Sequence, residues 1–102
     1  MEIKITKEKV TDPEKFIRRC GYGKIDDRRS GETSYARRLR GDFYPRFHVY
    51  IKDGGSSWIF NLHLDQKRPS YEGSHAHSGE YDGTTVEKEA QRISQQTAVV
   101  LE

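Results

Sequence analysis

Cysteine is nearly missing from this 102-residue chain: Cys20 is the only one. That excludes an internal disulfide and a zinc site made of thiolates alone, and Cys20 itself reads as a small buried hydrophobe. Aliphatic side chains are also scarce. Hydrophobic residues supply 32% of the chain and charged residues 33%. Ile, Leu, Val and Phe together come to about a fifth, close to the composition at which chains stop folding. Disorder also requires a large net charge, and here 18 basic residues against 16 acidic ones leave only +2. With 11% aromatics, a small ordered core is expected. No apolar run approaches the roughly 20 residues of a membrane span, and no secretory signal pattern opens the chain. These absences predict a cytoplasmic protein without membrane contact. The length suits one domain over residues 1–102. A domain this small buries a modest share of its surface, so a homodimer covering a second apolar patch is a further expectation.

The thin apolar content has a pattern. Glu2–Thr6 alternates weakly and suggests a short edge strand. Thr11-Asp12-Pro13-Glu14 is a helix start, with a capping side chain, a proline suited to the first turn and an acid at the positive end of the dipole. Phe16, Ile17 and Cys20 give the helix its buried face, and Gly21 ends it. Residues 21–33 read as a loop. A polar strand is expected over 33–40, with Tyr35, Arg37 and Leu39 on one face.

The strongest signal is a hairpin. Phe47, Val49 and Ile51 alternate with Arg46, His48, Tyr50 and Lys52. After the Asp53-Gly54-Gly55-Ser56 turn, Trp58, Phe60, Leu62 and Leu64 alternate with Ile59, Asn61, His63 and Asp65. A two-residue loop at Gly54-Gly55 would pair Val49 with Phe60 and Ile51 with Trp58, merging the two apolar faces. Residues 66–83 form a long stretch with almost no aliphatics. A final helix is expected after a Thr84 or Thr85 cap, with Val86, Ala90, Ile93 and Thr97 as its packing stripe and Glu87, Lys88, Glu89 and Arg92 on its wet face.

The expected fold is α+β: a small antiparallel sheet of three to four strands, a β-meander, with an N-terminal and a C-terminal helix packed on one face in (β)-α-β-β-β-α order. Over residues 12–99 this order resembles that of double-stranded-RNA-binding domains. In the stretch matching that family's basic cluster, this chain reads Val86-Glu87-Lys88-Glu89-Ala90.

All four histidines lie between positions 48 and 77. His63 and Asp65 share a strand face, His48 sits one strand away, and His75-Ala76-His77 follows in the long polar segment, which at 18 residues exceeds ordinary loop lengths of about 12–15. His63, Asp65, His75 and His77, with His48 in support, are therefore candidate ligands for zinc or another divalent transition metal, since neutral imidazoles and a carboxylate suit such ions. An open position on the metal would make a hydrolase. Without metal, His63 and His75 could act as general base and acid on a phosphodiester, with Tyr81 donating or positioning. The spacing His75-Ala76-His77 near Tyr81 resembles HUH endonucleases, a likeness confined to these few residues, which implies nucleic-acid chemistry.

The alternative is a binding module. Residues 18–46 are arginine-rich, and Tyr22, Tyr35, Phe43 and Tyr44 are interleaved. Arg28, Arg29, Arg37, Arg38, Arg40 and Arg46 are candidate phosphate contacts, with the rings available for stacking. The partner would be nucleic acid, or a protein docking on the same segment.

Overall fold

A computed structural model describes residues 1–66 and 83–100 of the chain, without the side chains of Val99 and Val100. The elements run β1 (Glu2–Thr6), α1 (Pro13–Arg19), β2 (Gly23–Asp26), β3 (Thr33–Arg38), β4 (Arg46–Asp53), β5 (Ser57–Asp65) and α2 (Gly83–Val100). The fold is α+β, with a five-stranded sheet in the order β1-β5-β4-β3-β2. Each neighbouring pair is antiparallel. Strands β2 to β5 form the meander, and β1 closes its far edge against β5.

The expected strand count was too low. Residues 23–26 are strand, not loop, and pair with β3 from Gly23↔Ala36 to Asp26↔Thr33. Gly-Lys-Ile-Asp has one aliphatic residue and no alternation, so it carries no periodic signal. What holds it is the connection to β3. Asp27 Oδ1 accepts the Arg29 and Ser30 amides at 2.9 and 3.4 Å, the Asp27 amide reaches the Glu32 carbonyl at 2.9 Å, and Thr33 donates its hydroxyl to Asp26 at 3.0 Å. With this strand, four strands stand between the two helices among the described residues, which departs from the three-strand order of double-stranded-RNA-binding domains. Strand β3 also stops at Arg38, two residues short of its expected end.

Helix α1 begins as the sequence implies. Asp12 caps it by accepting the Lys15 amide at 3.1 Å, with Pro13 in the first turn. Cys20 is its C-cap, and Gly21 follows with φ +102°, a conformation that glycine adopts without the usual penalty. Seven residues are too few for a helix to stand on propensity alone. Burial of Phe16 and Ile17 holds it, with the Phe16 ring 5.6 Å from that of Phe60.

The hairpin register differs from the expected one by two residues. Val49 faces Leu62 and Ile51 faces Phe60. The turn is centred on Gly55-Ser56, because the Gly54 amide bonds the Ser57 carbonyl at 2.8 Å. Gly55 takes φ +92° while Ser56 is not left-handed, the sign pattern of a II′ turn. Gly54 is crowded for a different reason: a Cβ there would lie 2.8 Å from the tip of the Ile59 side chain and 3.1 Å from the Ser57 carbonyl, so a larger residue would make Ile59 shift. Asp53 fixes the corner by accepting the Gly55 amide at 2.9 Å and the Lys7 ammonium at 2.7 Å. A shift of two leaves every side chain on its expected face, since the side-chain period is two.

One core results. Ile3 and Ile5 from β1, Phe47 and Val49 from β4, Phe60 and Leu62 from β5, Phe16 and Ile17 from α1, and Ile93 from α2 are all buried in a single cluster. Both helices therefore cover the same sheet face. Helix α2 starts at Gly83, so Thr84 and Thr85 lie inside it rather than capping it. Among the described residues, no helix is long and apolar enough to cross a membrane.

Glu89 does not lie on the wet face of α2. It is 5% exposed and takes four hydrogen bonds. Arg92 grips it bidentately, Nε to Oε1 and Nη2 to Oε2, both at 2.9 Å. Tyr22 donates its hydroxyl to Oε2 at 2.6 Å, and Arg37 reaches Oε1 at 3.4 Å. Arg92 also donates to the Cys20 carbonyl at 2.6 Å. A buried carboxylate survives only when paired and hydrogen-bonded, and a periodicity argument on α2 alone does not reveal partners on β3 and after α1. Burial, reinforced by Glu89, pushes the Tyr22 phenol upward. Burial likewise pushes the Cys20 thiol up to about 11, which keeps it an inert thiol at neutral pH.

Candidate functional site

Alternation on the central strands puts a second set of side chains on the sheet face opposite the helices. They are Ser34, Ala36 and Arg38 of β3, Arg46, His48, Tyr50 and Lys52 of β4, and Ile59, Asn61, His63 and Asp65 of β5. The register sets Arg46 opposite both Arg38 and Asp65, and His48 opposite both Ala36 and His63. Neither helix packs on this face.

His48 is its centre. The imidazole Nδ1 lies 3.2 Å from Asp65 Oδ2, and Nε2 lies 2.8 Å from Ser34 Oγ. One ring thus bridges β3, β4 and β5. Asp65 also accepts from Arg46 Nε at 3.3 Å. The hydrogen bond from His48 is the main cause that holds the Asp65 carboxyl below its usual range; partial burial opposes it, and the charges of His48 and Arg46 assist. Against an ionised Asp65, Nδ1 must be the protonated nitrogen. Neutral His48 then presents the Nε2 lone pair to the Ser34 hydroxyl.

A row of rings crosses this face. The Tyr50 ring lies 4.9 Å from that of His48 and 6.2 Å, edge-on, from that of His63. His63 is exposed and His48 half-buried. At one end, Arg38 stacks over Phe43 at 4.2 Å and Arg46 over Tyr44 at 4.7 Å. Like charges facing each other across strands repel. The Arg38–Arg46 pair is relieved by Asp65 and by these two rings, whose faces attract cations. Phe43 is 61% exposed, an unusual placement for so large an apolar ring.

The sequence candidates divide into groups. His48, His63 and Asp65 share this face. His75, His77 and Tyr81 lie outside the described residues. Among the described residues, no three or more His, Cys, Asp or Glu side chains stand together as a metal site. Arg38 and Arg46 meet across the β3–β4 register, and Arg40 follows in the connection between them. Arg28 and Arg29 sit apart in the β2–β3 turn. Arg37 points the other way, to Glu89 at 3.4 Å, and so belongs to the helix-covered side.

Two residues of this face, Ser34 and Tyr50, are not among the sequence candidates. Neither belongs to a motif. The signal was available in the alternation. If Tyr35 points to the core, Ser34 must share the face of His48. No family model matches the chain, and neither a curated protein nor a solved structure matches it.

Proposed function

We propose that this chain binds single-stranded nucleic acid across the sheet face opposite its helices. One observation carries the reading: the ring row His48–Tyr50–His63 lies on a face that no described element covers, flanked by Arg38, Arg46 and Lys52. Aromatic faces accept bases of any sequence, while arginine and lysine track the phosphates. Two opposite groups of charge shape the contact. Asp65 is spent on His48 and Arg46, whereas Lys52 projects from β4 as an exposed cation. The Arg38–Phe43 and Arg46–Tyr44 stacks extend the same chemistry beyond the sheet.

The test is fluorescence anisotropy with labelled single-stranded RNA and DNA on the full chain over a salt series. Affinity should fall as salt rises, with a slope of about −0.7 for each phosphate contacted. Tyr50→Ala should cost about 1–3 kcal/mol, roughly a 5- to 150-fold loss. Arg46→Ala should weaken binding and flatten the salt slope by about 0.7. Arg37→Lys, on the opposite face, should leave the affinity unchanged. Absence of binding at low salt, or equal loss from Arg37→Lys and Arg46→Ala, would overturn the reading.

A metal-dependent hydrolase is the second reading. Its support is the exposed position of His63, two residues before Asp65, on the strand that leads into the segment holding His75 and His77. Zinc or another divalent ion would take its remaining ligands from that segment. Metal analysis of untagged protein decides it: sub-stoichiometric metal, with melting unchanged by chelator, removes it.

A further inference from the structure

We propose that Ser34, His48 and Asp65 form a nucleophilic relay in which Ser34 Oγ is acylated by small carboxylic esters. This inference does not depend on nucleic-acid binding. It rests on a different observation, the hydrogen-bonded line that one imidazole draws across three neighbouring strands.

A nucleophilic serine needs a base within hydrogen-bond reach, and the base needs a third group to hold its orientation. Both contacts are present. Ser34 Oγ stands 2.8 Å from His48 Nε2, and Asp65 Oδ2 stands 3.2 Å from Nδ1. The carboxylate is itself held by Arg46 at 3.3 Å. The arrangement selects one tautomer, with the proton on Nδ1 and the lone pair on Nε2 facing the hydroxyl. Ser34 is 6% exposed, so its hydroxyl needs a protein partner, and the partner it has is an imidazole that Asp65 holds in place.

The reaction is balanced by these three groups and water. Oγ forms a bond to the ester carbonyl carbon while its proton passes to Nε2, and the imidazolium rests against Asp65. The ester C–O bond then breaks, the Nε2 proton goes to the departing alkoxide, and an alcohol leaves acyl-Ser34 behind. Water next gives its proton to Nε2 and bonds to the acyl carbon. The bond to Oγ breaks, Oγ regains the proton, and a carboxylic acid departs. Ser34 and His48 touch the reacting atoms, and Asp65 is a positioning residue.

Two features set the substrate and the speed. With Ser34 only 6% exposed, bulky acyl groups are excluded. Ser34 also lies within a paired strand, where backbone amides serve the sheet ladder, so the rate gain is that of base assistance alone, about 10²–10⁴-fold.

The experiment treats the full chain with 4-nitrophenyl acetate, follows nitrophenolate release, and maps acetylated peptides by mass spectrometry. Release should begin with a burst of one equivalent, and the acetyl group should map to Ser34. Ser34→Ala should lose the burst and the adduct. His48→Gln keeps hydrogen-bonding groups at the centre but no base. It should slow Ser34 acetylation about 100-fold or more. Thermal melts confirm that each variant is folded, and acetylated lysines serve as an internal rate standard. Folded wild-type protein without acetyl-Ser34, or equal labelling of Ser34 in His48→Gln, overturns the proposal.

Discussion

The Tyr22 hydroxyl donates to Glu89 Oε2 at 2.6 Å across 67 residues of sequence. This bond joins the end of α1 to the middle of α2, and Arg37 and Arg92 complete the charge balance around the same carboxylate. It makes Glu89 the polar counterpart of Ile93, which packs one turn further along the same helix.

Glu89→Ala should therefore be among the most destabilising single changes in the chain. It strands two guanidinium groups and a buried phenol. Removing one partner of a buried ion pair costs about 3–5 kcal/mol. For a domain of this size that lowers Tm by more than about 10 °C. Circular dichroism melts of Glu89→Ala and Glu89→Gln would measure it, with the glutamine variant the milder because it keeps hydrogen-bonding capacity. A drop of only a degree or two for Glu89→Ala would show that the cluster is dispensable.

Acid should weaken the fold partly through Asp65. Its folded-state carboxyl is held down, first by the hydrogen bond from His48. Between that value and the unfolded value near 3.9, the unfolded chain binds more protons than the folded one. The contribution of Asp65 is thus fully present above about pH 4 and disappears as pH falls through its lowered folded value. Denaturant midpoints for wild type and Asp65→Asn, measured from pH 7 down to pH 2, should differ most at neutral pH and converge in acid. A constant gap over the whole range would assign the effect to something other than ionisation.

Gly55 offers a purely conformational test. Its φ is +92°, and a Cβ there would meet nothing within 4 Å. Gly55→Ala should cost about 1–3 kcal/mol from backbone strain alone, and Gly55→Asn less, because asparagine tolerates positive φ better. Chemical denaturation would read both. Equal costs at Gly55→Ala and at an exposed strand position would mean that the turn relaxes without penalty.

Ile93→Ala should cost about 2–5 kcal/mol, since Ile93 is fully buried at the junction of α2 with the sheet. Val86→Ala, at a partly buried position of the same stripe, should cost less. Urea unfolding followed by the fluorescence of Trp58, the only tryptophan, gives both values. The reverse order would mean that α2 packs mainly through its first turn.

Local chemistry made much of this fold legible in the sequence. Asp12, Pro13 and Gly21 bound α1 by capping and backbone preference. The alternation from Phe47 to Asp65 identified both hairpin strands and sorted their side chains onto two faces. It brought His48, His63 and Asp65 to one side even with the register displaced by two residues, because an even shift preserves the faces. Strand β2 was not legible. An edge strand with one isoleucine has no period, and its partner in β3 lies across a turn whose stability comes from the Asp27 carboxylate. The pairing of β1 with β5 joins the first and last described strands of the chain and leaves no mark in local pattern.

What the sequence determined by itself is the alternation and the helix stripes, since these follow from the geometry of a single strand or helix. What only the tertiary structure decided is which polar side chains meet. Glu89 reads as a solvated helix residue until Tyr22 and Arg37 are brought against it. Arg37 reads as one cation of a basic patch until Glu89 claims it. Ser34 reads as an ordinary strand serine until His48 arrives from β4 with Asp65 behind it. Each of these contacts joins groups on different elements, and their worth depends on burial and partner charge, quantities that exist only after the sheet and helices have come together.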